Sequence, residues 1–469
     1  MKNNSEEAFG VTPEQLRTIV AEGLKGGDWC DLYFEQTVYN DMLLRDSSVA
    51  SGGFHLDYGC GVRVLNGEKT GYAYSESTDI QSLLDAARAA GAVAGKPGSF
   101  KVGPSIPTAT PPPYAMRQDW ADADKKKLSE WLLKLEAAIR SRCTYPSKII
   151  ALLSWSTSNI LMYNSLDETT GDTRPLGSVS VTAIFSKDGR TEQRNVSRSY
   201  RCGLEMITDS LIDELASEAV KDLDDSFAAS RPKGGRMPVV MAAGASGILL
   251  HEAMGHAFEA DFNRKGQSIF SDRMGQRVCK SGISIIDDAT IPGSRGSLLY
   301  DDEGVPGQKT YMVHDGILTS YLHDRISAAY YGVLPTGNGR RESFRYNPIP
   351  RMRTTYMESG SDGTLQDLIG SVRKGIYVDK FANGEVKIGE GDFTFYVNRG
   401  NLIENGRLTR PVKDVNIIGN GPRALADIEA VAGDLKIDDG TWTCGKEQSV
   451  AVSCGIPSVL INNLTVGGE

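Results

Sequence analysis

The chain has 469 residues, more than a single hydrophobic core usually organises, so two or more domains are expected. Hydrophobic residues at 40% and charged residues at 24% are the proportions of a soluble globular protein, and glycine is somewhat enriched at 51 positions. Basic residues number 51 and acidic residues 60, a formal net charge of −9, so no overall basic field attracts a phosphate backbone and direct nucleic-acid binding is disfavoured.

The first helix is predicted from Thr12-Pro13-Glu14-Gln15, which combines an N-cap, proline at the first helical position and a capping-box glutamine. Leu16, Ile19, Val20 and Leu24 follow at helical spacing, and Gly26-Gly27 ends the helix. Strand patterns cover 31–37 and 61–65, with Asn66-Gly67 as a hairpin turn into Gly71-Tyr72-Ala73-Tyr74. The stretch Pro104–Pro113 holds five prolines and reads as an extended connector. Leu128, Trp131, Leu132, Leu135, Ala138 and Ile139 mark an amphipathic helix, preceded by Lys125-Lys126-Lys127 as a solvated face. Val179, Val181, Ala183 and Phe185 alternate towards an Asp188-Gly189 hairpin, and 211–225 reads as an acidic amphipathic helix.

A boundary is expected at Ser230–Gly235, because the sequence changes character beyond it. Asp315-Gly316, Asn383-Gly384 and Asn405-Gly406 are hairpin signals between short apolar runs, at spacings too unequal for a repeat. The expected fold class is α+β, with an α/β N-terminal domain over 1–230 and a mainly antiparallel β C-terminal domain over 231–469.

The densest chemistry lies at the start of that second domain. Met237–Met241 reads as a strand, Gly244 and Gly247 as a turn, and Ile248-Leu249-Leu250 as the opening of a helix containing His251, Glu252 and His256. Two imidazoles can offer nitrogen ligands to zinc, and an adjacent carboxylate can accept a proton from water. Of five histidines in the chain, two are here. Their i, i+5 spacing places them roughly 140° apart on a regular helix, too far round to share an ion, whereas i, i+4 gives roughly 40°. A π-type turn inserts one residue, so a break in the α ladder is expected between His251 and Glu259, near Gly255. A catalytic zinc site needs a third protein ligand, and residue chemistry leaves Glu259, His314, His323 or a cysteine thiolate open.

The run from His251 through Glu252, Ala253, Met254, Gly255, His256, Ala257, Phe258, Glu259 and Ala260 to Asp261 resembles the signature of the TldD/PmbA family, also described as modulators of DNA gyrase. Further similar segments are Gly59-Cys60-Gly61-Val62-Arg63-Val64, Asp301-Asp302-Glu303-Gly304, Thr336-Gly337-Asn338-Gly339-Arg340-Arg341, Arg351-Met352 and Leu464-Thr465-Val466-Gly467-Gly468, so the resemblance spans nearly the whole chain. It implies a zinc metallopeptidase carrying one Zn2+ per chain, held by His251, His256 and Cys444, with Glu252 as the general base. Cys444 is chosen because Cys444-Gly445-Lys446 matches the family's Cys-Gly-Lys context; Cys454 does not match and reads as an ordinary buried thiol. Glu447-Gln448 departs from the pattern, which carries a glycine before the glutamine. The resemblance further implies unfolded or extended peptides as substrates, and a homodimer or a heterodimer with a paralogue as the working form. The competing class is a non-catalytic structural subunit or a gyrase-modulating partner, against which the intact His251, Glu252, His256 and Cys444 set argues.

Other features are read as structural. Gly337-Asn338-Gly339 and Gly419-Asn420-Gly421 lack a nucleotide-binding fingerprint, and Ser246 lacks a nucleophile elbow. Asp301-Asp302-Glu303 is expected at a solvated turn, while Arg340, Arg341, Arg345, Arg351 and Arg353 could hold peptide carbonyls or a terminal carboxylate, or pair with the acidic surplus. Seven scattered cysteines, no apolar leader core and no run near the ~20 apolar residues of a membrane span point to a reduced, cytoplasmic protein without a membrane segment.

Overall fold

The computed structural model of the protein describes residues 8–95, 112–387 and 389–468, so positions 104–111 of the expected connector lie outside the described residues. Helix α1 (Pro13–Gly23) starts as its sequence dictates. The Thr12 hydroxyl accepts from the Gln15 amide, and the Gln15 side chain accepts from the Thr12 amide. Strands β1 (Trp29–Arg45), β2 (Ser48–Asn66) and β3 (Lys69–Ser75) follow, then α2 (Ile80–Ala94) and α3 (Lys125–Ser141), then β4 (Pro146–Asn164), β5 (Thr169–Lys187) and β6 (Arg190–Tyr200).

These six strands form one sheet in the order β3-β2-β1-β4-β5-β6, with every pairing antiparallel. They outrun the short apolar patterns because cross-strand pairing satisfies the backbone even where side chains are exposed, as over Ser48–Gly52. Helices α1 and α2 bury Leu16, Ile19, Leu83 and Ala87 against Leu32, Phe34 and Val62. Helix α3 and α4 (Asp209–Val220) bury Leu132, Leu135 and Leu215 against Leu153, Val181 and Phe185. The helix expected over 211–225 breaks at Asp222, which adopts φ +50° and starts a separate turn, Leu223–Ala228. Aspartate tolerates that left-handed conformation better than most residues.

Alternation along β1 sends Cys30, Leu32 and Phe34 into the helical layer, and Asp31, Tyr33 and Glu35 to the opposite face, which is buried too. There the sheet meets the second half of the chain through ion pairs. Arg63 reaches Asp31 and Glu303, both at 2.6 Å, and Arg174 reaches Asp172 at 2.8 Å and Asp302 at 2.5 Å. The Asp301-Asp302-Glu303 turn is therefore not solvated, as its charge suggested, but buried. The partners that compensate this burial lie 240 and 128 residues away along the chain.

In the second half, β7 (Gly235–Met241) enters a closed ring of pairings. Lys374–Lys387 pairs with β7, β7 with Val459–Gly467, that strand with Val415–Asn420, that with Asp392–Glu404, and Asp392–Glu404 again with Lys374–Lys387. Only the contact of β7 with Lys374–Lys387 is parallel in this ring. A second sheet is ordered Ile317–Leu318, Lys309–His314, Ile285–Asp288, Thr354–Met357, Ser453–Ile456, Lys436–Asp438. Asp315-Gly316 and Asn405-Gly406 turn as expected, with positive φ at both residues. Asn383-Gly384 does not: it lies inside Lys374–Lys387, opposite Tyr396 and Phe395, beside register shifts. Gly384 lies against the Phe395 ring, which a Cβ would approach to 2.1 Å, so this glycine serves packing rather than a turn. The segment after β7 is clamped between ring and sheet, with Leu249, Leu250, Met254 and Phe258 in one core with Ile285, Met312, Phe393 and Ile456. Among the described residues, no helix is long and apolar enough to cross a membrane.

Candidate metal centre

The chain leaves β7 through a 3-10 turn (Ala245–Gly247) and one α turn (Ile248–Leu250), then forms a π segment (His251–Gly255) and a further 3-10 turn (His256–Phe258). The His256 amide donates to the His251 carbonyl, the i to i+5 bond that the histidine spacing called for. As a result the two imidazoles lie on the same side of the segment, edge to face, with ring centroids 5.2 Å apart at 82°. Gly255 has ordinary helical angles, φ −56° and ψ −48°, so backbone freedom is not why a glycine stands there. A Cβ at that position would lie 2.0 Å from Met352 Sδ, and it is this close approach that excludes a side chain.

Cys444 joins them from the hairpin strand Thr443–Lys446. One ligating atom from each of His251, His256 and Cys444 lies within 4.8 Å of the other two, and Cys444 Sγ is 3.2 Å from His256 Nε2. All three residues are buried. Glu447, at the tip of this hairpin between paired Lys446 and Gln448, holds φ +58°. The turn thus holds a glutamate in the left-handed conformation that glycine adopts without strain.

The remaining ligand candidates fall elsewhere. Glu259 is not beside the sulfur; it accepts a 2.9 Å hydrogen bond from His256 Nδ1, leaving Nε2 turned to Cys444. Lys446 Nζ lies 3.0 Å from Glu259 and 2.8 Å from Asp261, and donates to the Pro350 carbonyl. Burial would push the Glu259 carboxyl up, but Lys446 and His256 hold it down at about 2. His323 is packed between Tyr321 and Tyr331, where burial brings it down to about 4, and His314 is exposed beside Tyr311. Burial pushes the Cys454 thiol well above its ordinary value.

At the cluster itself the balance is reversed. Burial opposes a thiolate at Cys444, yet the neighbouring His251 and His256 outweigh it and bring the thiol down to about 4. Burial likewise opposes charge on His256, but Glu259 and Cys444 raise it to about 10. Both shifts favour a thiolate at Cys444 and charge on His256, and a metal cation would satisfy the same thiolate. His251 Nδ1 is buried without a hydrogen-bond partner, and two imidazoles plus a thiolate form a donor set of the kind zinc takes, so the residues fit the ion. Glu252, half-buried on the π segment, makes no hydrogen bond or ion pair with other described residues.

Sequence reasoning did not anticipate the Lys446–Glu259 pair or the role of Arg351, which donates to the carbonyls of Cys444 at 2.6 Å and Gln448 at 2.8 Å. The only signals were Glu259 three residues after His256 and Lys446 two after Cys444. The five arginines do not converge on one ligand. Arg345 pairs with Asp57 and Glu76, Arg353 with Asp287, and Arg341 donates to the Asp302 carbonyl.

Family models match the chain in three parts: PmbA/TldA metallopeptidase domain 1 over residues 30–94, the central domain over 118–226 and the C-terminal domain over 234–468. A metalloprotease TldD homolog of Haemophilus influenzae is 38% identical over 449 residues, 94% of this chain and 93% of its own length. One from Buchnera aphidicola is 36% identical over 475 residues, 100% of this chain and 97% of its own. A zinc metalloprotease TldD homolog of Saccharolobus solfataricus is 35% identical over 259 residues, 55% of this chain and 57% of its own. Among solved structures, TldE from Thermococcus kodakarensis has a TM-score of 0.77 at 18% identity, covering 97% of this chain and 100% of its own. A Thermotoga maritima protein named for modulation of a DNA gyrase has a TM-score of 0.79 at 20% identity, with 97% and 100% covered. The two solved structures share the fold, and the full-length sequence relatives with the three matching family models make this chain a member of the PmbA/TldD metallopeptidase family.

Proposed function

We propose that the protein is a zinc-dependent peptidase in which His251, His256 and Cys444 hold one zinc ion and Glu252 is the general base. The observation that carries this reading is the π segment, which turns two histidines five residues apart onto one buried thiolate. Zinc bound there supplies Lewis-acid chemistry, polarising a scissile carbonyl and acidifying water. Glu252, beside His251 and without a competing partner, accepts the proton of the attacking water on a carboxylate oxygen and passes it to the leaving nitrogen. Glu259 orients the His256 ring through Nδ1, Lys446 keeps Glu259 ionised, and Arg351 fixes the Cys444 backbone.

Unfolded or extended peptides are the substrates in this reading, and the working form is a homodimer or a heterodimer with a paralogue. Seven free cysteines support a reducing, cytoplasmic setting. The division into 1–230 and 231–469 belongs to the same proposal. The test is hydrolysis of an unstructured fluorogenic peptide by the zinc-loaded chain. Glu252→Gln should keep its zinc and lose roughly 10²-fold or more in rate. Undiminished turnover in that variant would remove Glu252 from the mechanism.

A further inference from the structure

The ionic face of β1, β4 and β5 borders an open cavity of about 220 Å³ against the second half of the chain. Its far wall is Ser449, Val450 and Ala451, from the strand paired with Thr443–Lys446, in which Val450 stands opposite Cys444. The cavity is therefore one strand away from the candidate metal centre.

The cavity is lined by four arginines, Arg174, Arg201, Arg340 and Arg341, against three carboxylates, and each carboxylate is already engaged: Asp302 by Arg174 and the Arg341 amide, Glu35 by the Thr37 hydroxyl and the Phe344 amide, and Glu342 by the Ser449 amide. Arg201 lines the cavity at 6% exposure, yet its guanidinium makes no hydrogen bond or ion pair with the described residues and only faces the Tyr114 ring at 5.7 Å. Arg340 lines it too; its terminal nitrogens donate to the carbonyls of Met352 and Ala451, and its Nε has no partner among the described residues. Behind them Arg295 donates to the Trp442 carbonyl and to the hydroxyls of Ser178, Ser199 and Thr443. None of the three has a carboxylate within ion-pairing distance among the described residues. Burial, with repulsion from Arg201, brings Arg295 down to about 10; at Arg340, burial and Arg201 outweigh the attraction of Asp302 and bring it to about 9. Buried cations without a counter-charge are costly, and an anion in the cavity would face the two that line it, Arg201 and Arg340.

We infer that this cavity is an oxyanion site, built on Arg201 and Arg340, that takes a carboxylate of the bound peptide. The identity of the ligand rests on the peptidase reading, whereas the charge imbalance stands without it. The cavity holds a carboxylate with a short stem, and its place beside the Cys444 hairpin sets that group at a fixed remove from the bond to be cut.

Equilibrium binding tests the inference without turnover, using the zinc-loaded Glu252→Gln chain. The probes are N-acetyl-Ala-Ala as free acid, the same peptide as its amide, and N-acetyl-Ala-Glu amide, whose sole carboxylate is on a side chain. A carboxylate-bearing probe should bind about 10-fold or more tightly than the neutral amide. Whichever of the two acids binds better identifies the source as a chain terminus or an acidic side chain. Arg201→Gln should erase the preference while keeping zinc, and Arg201→Lys should restore part of it. Because the Arg201 side chain makes no hydrogen bond with the described residues, its Gln variant should melt no lower than the parent, so a lost preference is not lost folding. Equal binding of acid and amide would overturn the inference. So would a preference that survives Arg201→Gln, which would put the carboxylate on the metal instead. A peptidase failure appears separately, as absent hydrolysis in the unaltered chain with the binding preference intact.

Discussion

Replacing Gly255 by alanine isolates the packing that holds the π segment in place. Helix propensity alone favours alanine by about 1 kcal/mol. Against that, the new Cβ would sit 2.0 Å from Met352 Sδ, 3.1 Å from its Cε and 3.5 Å from the Leu250 carbonyl oxygen. Met352 is fully buried in the same core as Leu250 and Met254, so its thioether can move only by displacing neighbours. Overpacking of this kind costs about 1–3 kcal/mol, leaving a net loss of up to about 2 kcal/mol and a weaker zinc site with every ligand still present. Met352→Ala alone should cost about 2–5 kcal/mol through the cavity it leaves. In the double variant the methyl group introduced by Gly255→Ala enters space the thioether has vacated, so the combined loss should fall short of the sum of the singles by about 1–2 kcal/mol. Urea unfolding of the four chains, with zinc retention followed by chelator competition, measures this coupling. Strict additivity, or a Gly255→Ala chain more stable than the parent, would refute the claim that Met352 is what demands a glycine.

Three other outcomes follow from the same structure. Glu218 on α4 sits between Arg198 and Lys380, which outweigh its partial burial and hold its carboxyl down at about 2. A depressed folded value gives stability that is present above the unfolded value near 4.5 and is lost as pH falls towards 2; discounted for exposure, it amounts to about 1 kcal/mol, and Glu218→Gln should flatten acid unfolding over that window. Glu447→Gly should stabilise the Cys444 hairpin by about 0.5–1 kcal/mol, because φ +58° strains glutamate and not glycine; a lower melting temperature would contradict this. Lys446→Met should raise the Glu259 carboxyl and loosen the His256 ring, measurable as weaker zinc retention, whereas unchanged retention would make the pair merely structural.

How legible the fold and site were depends on how far apart the interacting residues lie. Thr12 with Gln15, and Asp188 with Gly189, act within a few residues, and both the capping box and the hairpin could be read directly. The π segment was legible for a similar reason: five residues from His251 to His256 conflict with a 3.6-residue turn, so the ladder had to break if the two histidines were to share one ion. Nothing local joins Cys444 to His256 across 188 residues, and only its Cys-Gly-Lys context singled it out. Burial of Asp301-Asp302-Glu303 was hidden because charge reads as solvation until Arg63 and Arg174 are brought across from the first sheet. Asn383-Gly384 misled because the same dipeptide that favours a turn also gives an aromatic ring room inside a strand.

The central claim is that His251, His256 and Cys444 share one zinc ion, and metal content measures it most directly. Elemental analysis of the purified chain should give about one zinc per chain, with most of it lost in each of His251→Ala, His256→Ala and Cys444→Ala, and retained in Cys454→Ala. Full zinc in Cys444→Ala, or its loss in Cys454→Ala alone, would contradict the account.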